Sequence, residues 1–145
     1  MLRTVVTSSC EDLIIMIEEM QKRIDQTDYW DMKILDLRIS FFGDEVELLI
    51  DNDEETCWKL SFLSCWKVLY ETDANWRRII NVRDMKKSQL GYYGQDITVS
   101  ESVTEKFYKI DLDLSIMEMH IECQDILVEK ILKEKVNFFW TYNQN

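Results

Sequence analysis

"SIMEMHIECQDI", residues 115–126, is the stretch whose reading decides the fold. It holds the chain's only histidine, His120, with Glu118 and Glu122 two residues to either side and Cys123 just beyond. Met117, Met119, Ile121 and Cys123 alternate with Glu118, His120 and Glu122. A period of two is what an extended chain makes when one face meets a core and the other meets water. The stretch therefore reads as a strand, with His120 and both glutamates on its outer face. A helix over residues 116–133 is the competing reading, because Ile116, Met119, Cys123, Ile126 and Lys130 also fit 3.6-residue spacing.

The same parity limits the chemistry open to His120. On a strand, Cys123 points to the opposite face and cannot join the histidine as a ligand. A Glu–His–Glu row, with neighbours about 6.5–7 Å apart, lacks the further ligands that a catalytic or structural metal site needs. Cys10, Cys57, Cys65 and Cys123 form no C-x-x-C pair and no zinc spacing, so buried free thiols are expected and no metal or cofactor. A Ser–His or Cys–His pair would have to use His120, and G-x-S-x-G, P-loop and G-x-G-x-x-G motifs are absent. "DNDEE", residues 51–55, has the Asp51, Asp53, Glu55 spacing of a calcium loop without its glycine at the sixth position or glutamate at the twelfth. An exposed acidic turn is the better reading, and no enzyme is expected.

Upstream, one helix and several strands come into view. Ser8 with Glu11 fits a capping box, and Leu13, Ile17, Met20 and Ile24 recur at helical spacing, which predicts a helix over about residues 9–26. The period then changes to two. "LDLRISF" sets Leu35, Leu37, Ile39 and Phe41 inward, Gly43–Asp44 signals a tight turn, and "EVELLI" returns with Val46, Leu48 and Ile50 on one face. After the turn at residues 51–55, Trp58, Leu60, Phe62, Trp66, Val68 and Tyr70 keep one parity over a run too long for one strand, which predicts a bend near residues 61–64. Residues 72–96 carry loop signals and a short helical turn near residues 75–80, and strand patterns resume at "DITVSES" and "KFYKIDLDL". With no repeat, linker or proline, 145 residues read as one α+β domain: an N-terminal helix packed on a mainly antiparallel sheet, curled or sandwiched.

Charge bounds the partners. Twenty-eight acidic residues against 17 basic give a net −11, which repels nucleic acid and favours a basic protein partner or plain solubility. Residues 31–55 hold nine acidic and two basic residues, mostly on turns, and Asp44, Glu45, Asp51, Asp53, Glu54 and Glu55 are the candidate partner-binding residues. Residues 76–90 run the other way, with Arg77, Arg78, Arg83, Lys86 and Lys87 against one acid, a segment suited to an intramolecular or protein-facing role. The aromatic stripe Trp58, Phe62, Trp66 and Tyr70 either fills the core or lines a small-ligand pocket. The longest apolar run is five residues, "LIIMI", far short of a membrane helix, and no secretory signal opens the chain, so the cytoplasm is the expected compartment.

The segments "LDLRISFFGDEVELLID", "CWKLSFLSCWKVLYETDANW" and "KIDLDLSIMEMHIECQDILVEKI" together resemble the small acidic YxiG-like proteins of bacteria, which occur among the immunity proteins of polymorphic toxin systems. The resemblance covers roughly residues 35–131 and carries no catalytic motif. It implies a non-enzymatic cytoplasmic protein that binds a cognate toxin.

Overall fold

The computed structural model describes residues 2–73, 75–78 and 80–143, with side chains described from residue 10 onward. In chain order the elements are α1 (Leu2–Asp25), β1 (Ile34–Ser40), β2 (Glu45–Asp51), β3 (Thr56–Leu63), β4 (Lys67–Thr72), β5 (Asp96–Glu101), β6 (Tyr108–Asp113), β7 (Met117–Cys123) and β8 (Asp125–Leu132). The deciding stretch is extended. Met117, Met119 and Ile121 are buried and His120 is exposed, so the alternation prevails over the helical spacing.

Two antiparallel four-stranded sheets result, in the orders β1-β2-β3-β8 and β4-β7-β6-β5. One strand pair joins them. β3 pairs with β8 from Thr56↔Leu132 to Leu63↔Asp125, and the same two chain segments go on as β4 and β7, from Lys67↔Glu122 to Thr72↔Met117. This ribbon turns a corner at Ser64, whose φ of 53° breaks the strand close to the expected bend. Trp66 N donates to Glu122 O and Gln124 N to Leu63 O, which hold the ribbon together across the corner.

The main core lies between the sheets. Val46, Leu48, Leu60 and Phe62 from one meet Ile97, Ile110, Met119 and Ile121 from the other, and Met20 and Ile24 of α1 complete the cluster. α1 packs on β5, the last strand of its sheet, and Lys22 and Arg23 in its final turn complement the helix dipole. The helix extends further toward the N-terminus than its apolar repeat predicts. Ser8 falls within it instead of ahead of it, and the Ser8 side chain of the expected capping box lies outside the described residues.

A second core explains why "ELLI" is apolar on both parities. Leu35, Leu49 and Cys57 point out of the opposite face of the first sheet and are covered by Met85, Leu90, Phe138 and Trp140. Trp140 Nε1 donates to Leu35 O at 2.9 Å. A register shift between Ile34 and Asp36 in β1 turns Leu35 to this face, while Leu37 stays against the main core. The inward set Leu35, Leu37, Ile39 and Phe41 expected from alternation is therefore corrected. Leu35 and Leu37 serve different cores, and Ile39 and Phe41 are exposed. The thiols also divide, with Cys57 and Cys123 buried, Cys65 partly buried and Cys10 exposed on α1, against the expectation of four buried thiols.

Candidate functional site

The outer face of the second sheet carries an uncompensated charge pattern. Alternation sends one residue in two of each strand outward, and register brings Glu71, Glu118, Asp113 and Asp96 side by side across all four strands. All four are exposed, and among the described residues none has an ion-pair partner. Like charges directly opposite one another destabilise a sheet by up to about 1 kcal/mol per pair, so this rung opposes folding. The next rung is Leu69, His120, Asp111 and Thr98, in which His120 Nδ1 lies 2.6 Å from Asp111 Oδ1. Glu122 sits on the same face but is buried, because the Ser102 hydroxyl donates to it and Lys67 Nζ lies 3.7 Å away. Among the described residues no three of His, Cys, Asp and Glu are placed to hold a metal ion.

The two acidic turns that carry the candidate partner-binding residues lie at opposite ends of β2, which at seven residues is about 20 Å long. Their carboxylates also differ in use. Asp51 Oδ1 lies 2.6 Å from Lys133 Nζ and Oδ2 3.3 Å from Lys87 Nζ. Burial pushes its pKa up, but the Lys133 hydrogen bond and the two cationic charges outweigh this and hold the carboxyl below its usual range. Asp53 Oδ1 accepts from Glu55 N, Thr56 N and Thr56 Oγ1 at 3.0, 2.7 and 2.8 Å, fixing the β2–β3 turn. Asp44, Glu54 and Glu55 are exposed and Glu45 is half-buried.

The turn between β1 and β2 departs further from expectation. Phe41, Phe42 and Gly43 adopt φ values of 53°, 57° and 95°, all left-handed. That region costs a residue with a Cβ about 1–2 kcal/mol. Phe41 is 73 % exposed and Phe42 113 %, so packing does not offset the cost. The tip rests on β4: Asp44 O accepts from Cys65 N at 2.8 Å, and a Cβ at Gly43 would lie 3.9 Å from Val68 Cγ2.

Residues 16–130, most of the chain and nearly all of both sheets, match the family described as Immunity protein PIM7. The chain belongs to that family. No curated protein matches the sequence. Membership meets the expectation of an immunity family, while the YxiG-like label is not the one the matching family carries.

In this PIM7 family member the aromatic stripe does not gather at one place. Phe62 is in the core, Trp58 is half-buried with Lys130 Nζ 5.1 Å from its ring centre, and Trp66 and Tyr70 are exposed in or beside β4 of the other sheet. The corner between β3 and β4 separates them. None of the four lines the apolar cavity of about 180 Å³ bounded by Ile34, Leu37, Leu90, Tyr92, Met117 and Phe139. Of the basic segment, Lys87 pairs with Asp51, and among the described residues Arg77, Arg78, Arg83 and Lys86 make no ion pair. No helix among the described residues is long and apolar enough to cross a membrane.

The rung escaped the sequence reading because its four members come from four strands. The only signal was that residues 71, 96, 113 and 118 each fall on the polar parity of their own segment, which gives their face but not their register.

Proposed function

We propose that this immunity-family protein is a cytoplasmic, non-enzymatic antagonist that neutralises one cognate toxin by binding it, and that the toxin surface it meets is basic. The observation that carries the reading is the rung Glu71–Glu118–Asp113–Asp96, four carboxylates across an open sheet face with no cation among them. Membership of a family of immunity proteins supplies the class of partner. A net charge of −11, with four unpaired carboxylates on one sheet face, draws a basic domain in and orients it before contact, which raises the association rate more than the final affinity. Asp44, Glu45, Glu54 and Glu55 add to this field from the ends of β2, whereas Asp51 and Asp53 serve it mainly by holding the turn in place. Nucleic acid and membranes are not partners in this reading, and no cofactor or metal takes part.

The test uses the cognate toxin domain, identified by co-purification from the native cell, in a catalytically dead form, with association measured at two salt concentrations. Replacing Glu71 and Glu118 by Gln and Asp96 and Asp113 by Asn is expected to slow association about tenfold or more and to flatten its salt dependence. A second variant, Glu54→Gln with Glu55→Gln, measures the turns' share; Asp53 is kept because it fixes the turn. An unchanged rate and salt slope in both variants would reduce the acidity to a solubility device. Failure of the unmodified protein to protect cells from the active toxin would remove the immunity reading itself. The alternative, a small-ligand domain using the aromatic stripe, finds little support, since Trp58, Phe62, Trp66 and Tyr70 do not gather and none of them lines the apolar cavity.

A further inference from the structure

We propose that Phe41 and Phe42 form the apolar anchor of the toxin interface, seating in a hydrophobic cleft whose rim is basic. The inference rests on the immunity reading above and names the part of the surface that holds the complex together once charge has brought the partners into contact.

Three observations carry it. First, the two phenylalanines contribute little to the fold: they are largely or wholly exposed, at 73 % and 113 %. Second, they stand where glycine, asparagine or aspartate is the unstrained choice, because both have φ near +55°. A turn shaped only for folding has no use for two bulky side chains in that conformation, and strain of this kind gathers where a surface is held ready for a partner. Third, the tip is supported. The Asp44–Cys65 backbone hydrogen bond and the approach of Gly43 to Val68 brace it against β4, so the rings are presented from a fixed base at low entropic cost to binding.

Charge sets the chemistry of the occupant. Asp44 and Glu45 directly follow the tip and set two carboxylates beside the rings, Asp44 exposed and Glu45 half-buried. The cleft that receives the rings is therefore on a basic protein. A second copy of this chain would bring two net charges of −11 together and is the disfavoured occupant.

The experiment combines Phe41→Asn with Phe42→Gly, residues that accept a left-handed backbone. The unfolding midpoint is expected to stay the same or rise. Dissociation of the dead toxin domain is expected to quicken about thirtyfold or more, the loss of one aromatic hot spot, with association nearly unchanged. Phe42→Leu, which keeps an apolar tip, is expected to recover part of the affinity. Unaltered dissociation in the double variant, with the unmodified protein binding normally, overturns the anchor and leaves the immunity reading intact. A lowered midpoint with a matching loss of binding overturns it too, since the tip would then be structural. Loss of a dimer in the double variant, read by sedimentation, would assign the tip to self-association and also overturn it. If the unmodified protein does not bind the toxin, both readings fall.

Discussion

Asp51 holds two cations at once. Lys133, just beyond β8, and Lys87, in the segment that covers the second core, both reach it at the turn that ends β2. Its side chain is 20 % exposed, and the folded pKa lies below the ordinary value. A depressed carboxylate pKa adds stability that is present above the unfolded value, near 3.9, and is lost as pH falls through the folded value. Asp51→Asn should therefore cost about 1–3 kcal/mol at neutral pH, the range of hydrogen bonds to charged groups. The deficit should shrink progressively below about pH 4, as urea unfolding of both proteins at pH 7 and pH 3 would show. A deficit independent of pH would mean that shape, not charge, is what the variant loses. The sequence offers Asp51 as one more acid in "DNDEE"; its two lysine partners lie far along the chain, and no local window contains them.

At the scale of elements, the exposed edge of a sheet is the feature that needs management, and α1 manages one. Gln21 Nε2 donates to Ile97 O at 2.7 Å and Gln21 Oε1 accepts from Val99 N at 2.8 Å, so one side chain satisfies the edge of β5 as a neighbouring strand would. Tyr29 Oη accepts from Ile97 N at 2.9 Å beside it. Gln21→Ala should lower stability by about 1–3 kcal/mol and hasten amide exchange at Val99 above all other β5 amides. Unchanged exchange there would show that the helix covers the edge without bonding it. Much of this layout was legible. Val46, Leu48 and Ile50, and Met117, Met119 and Ile121, alternate cleanly and do face the core. What was hidden was the second face of the first sheet. Leu49 and Cys57 sit at positions that a one-faced sheet would give to water, and the distant residues Met85, Leu90, Phe138 and Trp140 that cover them reveal why they are apolar. The bulge at Leu35 was equally silent, since one extra residue reverses parity without changing composition.

For the whole molecule, self-repulsion is the price of an acidic face. With a net charge of −11 and an unrelieved rung, added salt should screen the repulsion and raise the unfolding midpoint by a few degrees between about 10 and 200 mM sodium chloride. The rung-neutralised variant should show a smaller rise. An equal rise in both would place the repulsion elsewhere on the surface. Global acidity was plain in the composition, whereas the rung was not: acids crowd in sequence at residues 31–55, and the sheet collects its own four from strands far apart. The ribbon that turns the corner at Ser64 bears on a different matter, the time the chain takes to fold. Thr72 must find Met117 and Thr56 must find Leu132 before either sheet has all its strands, so the ribbon closes a long loop for little local reward. Chains dominated by such distant pairings fold in roughly milliseconds to seconds, where helical bundles take microseconds. A newly made copy therefore passes through an interval of that order before its two sheets are complete, and the distant pairings of the ribbon lengthen it.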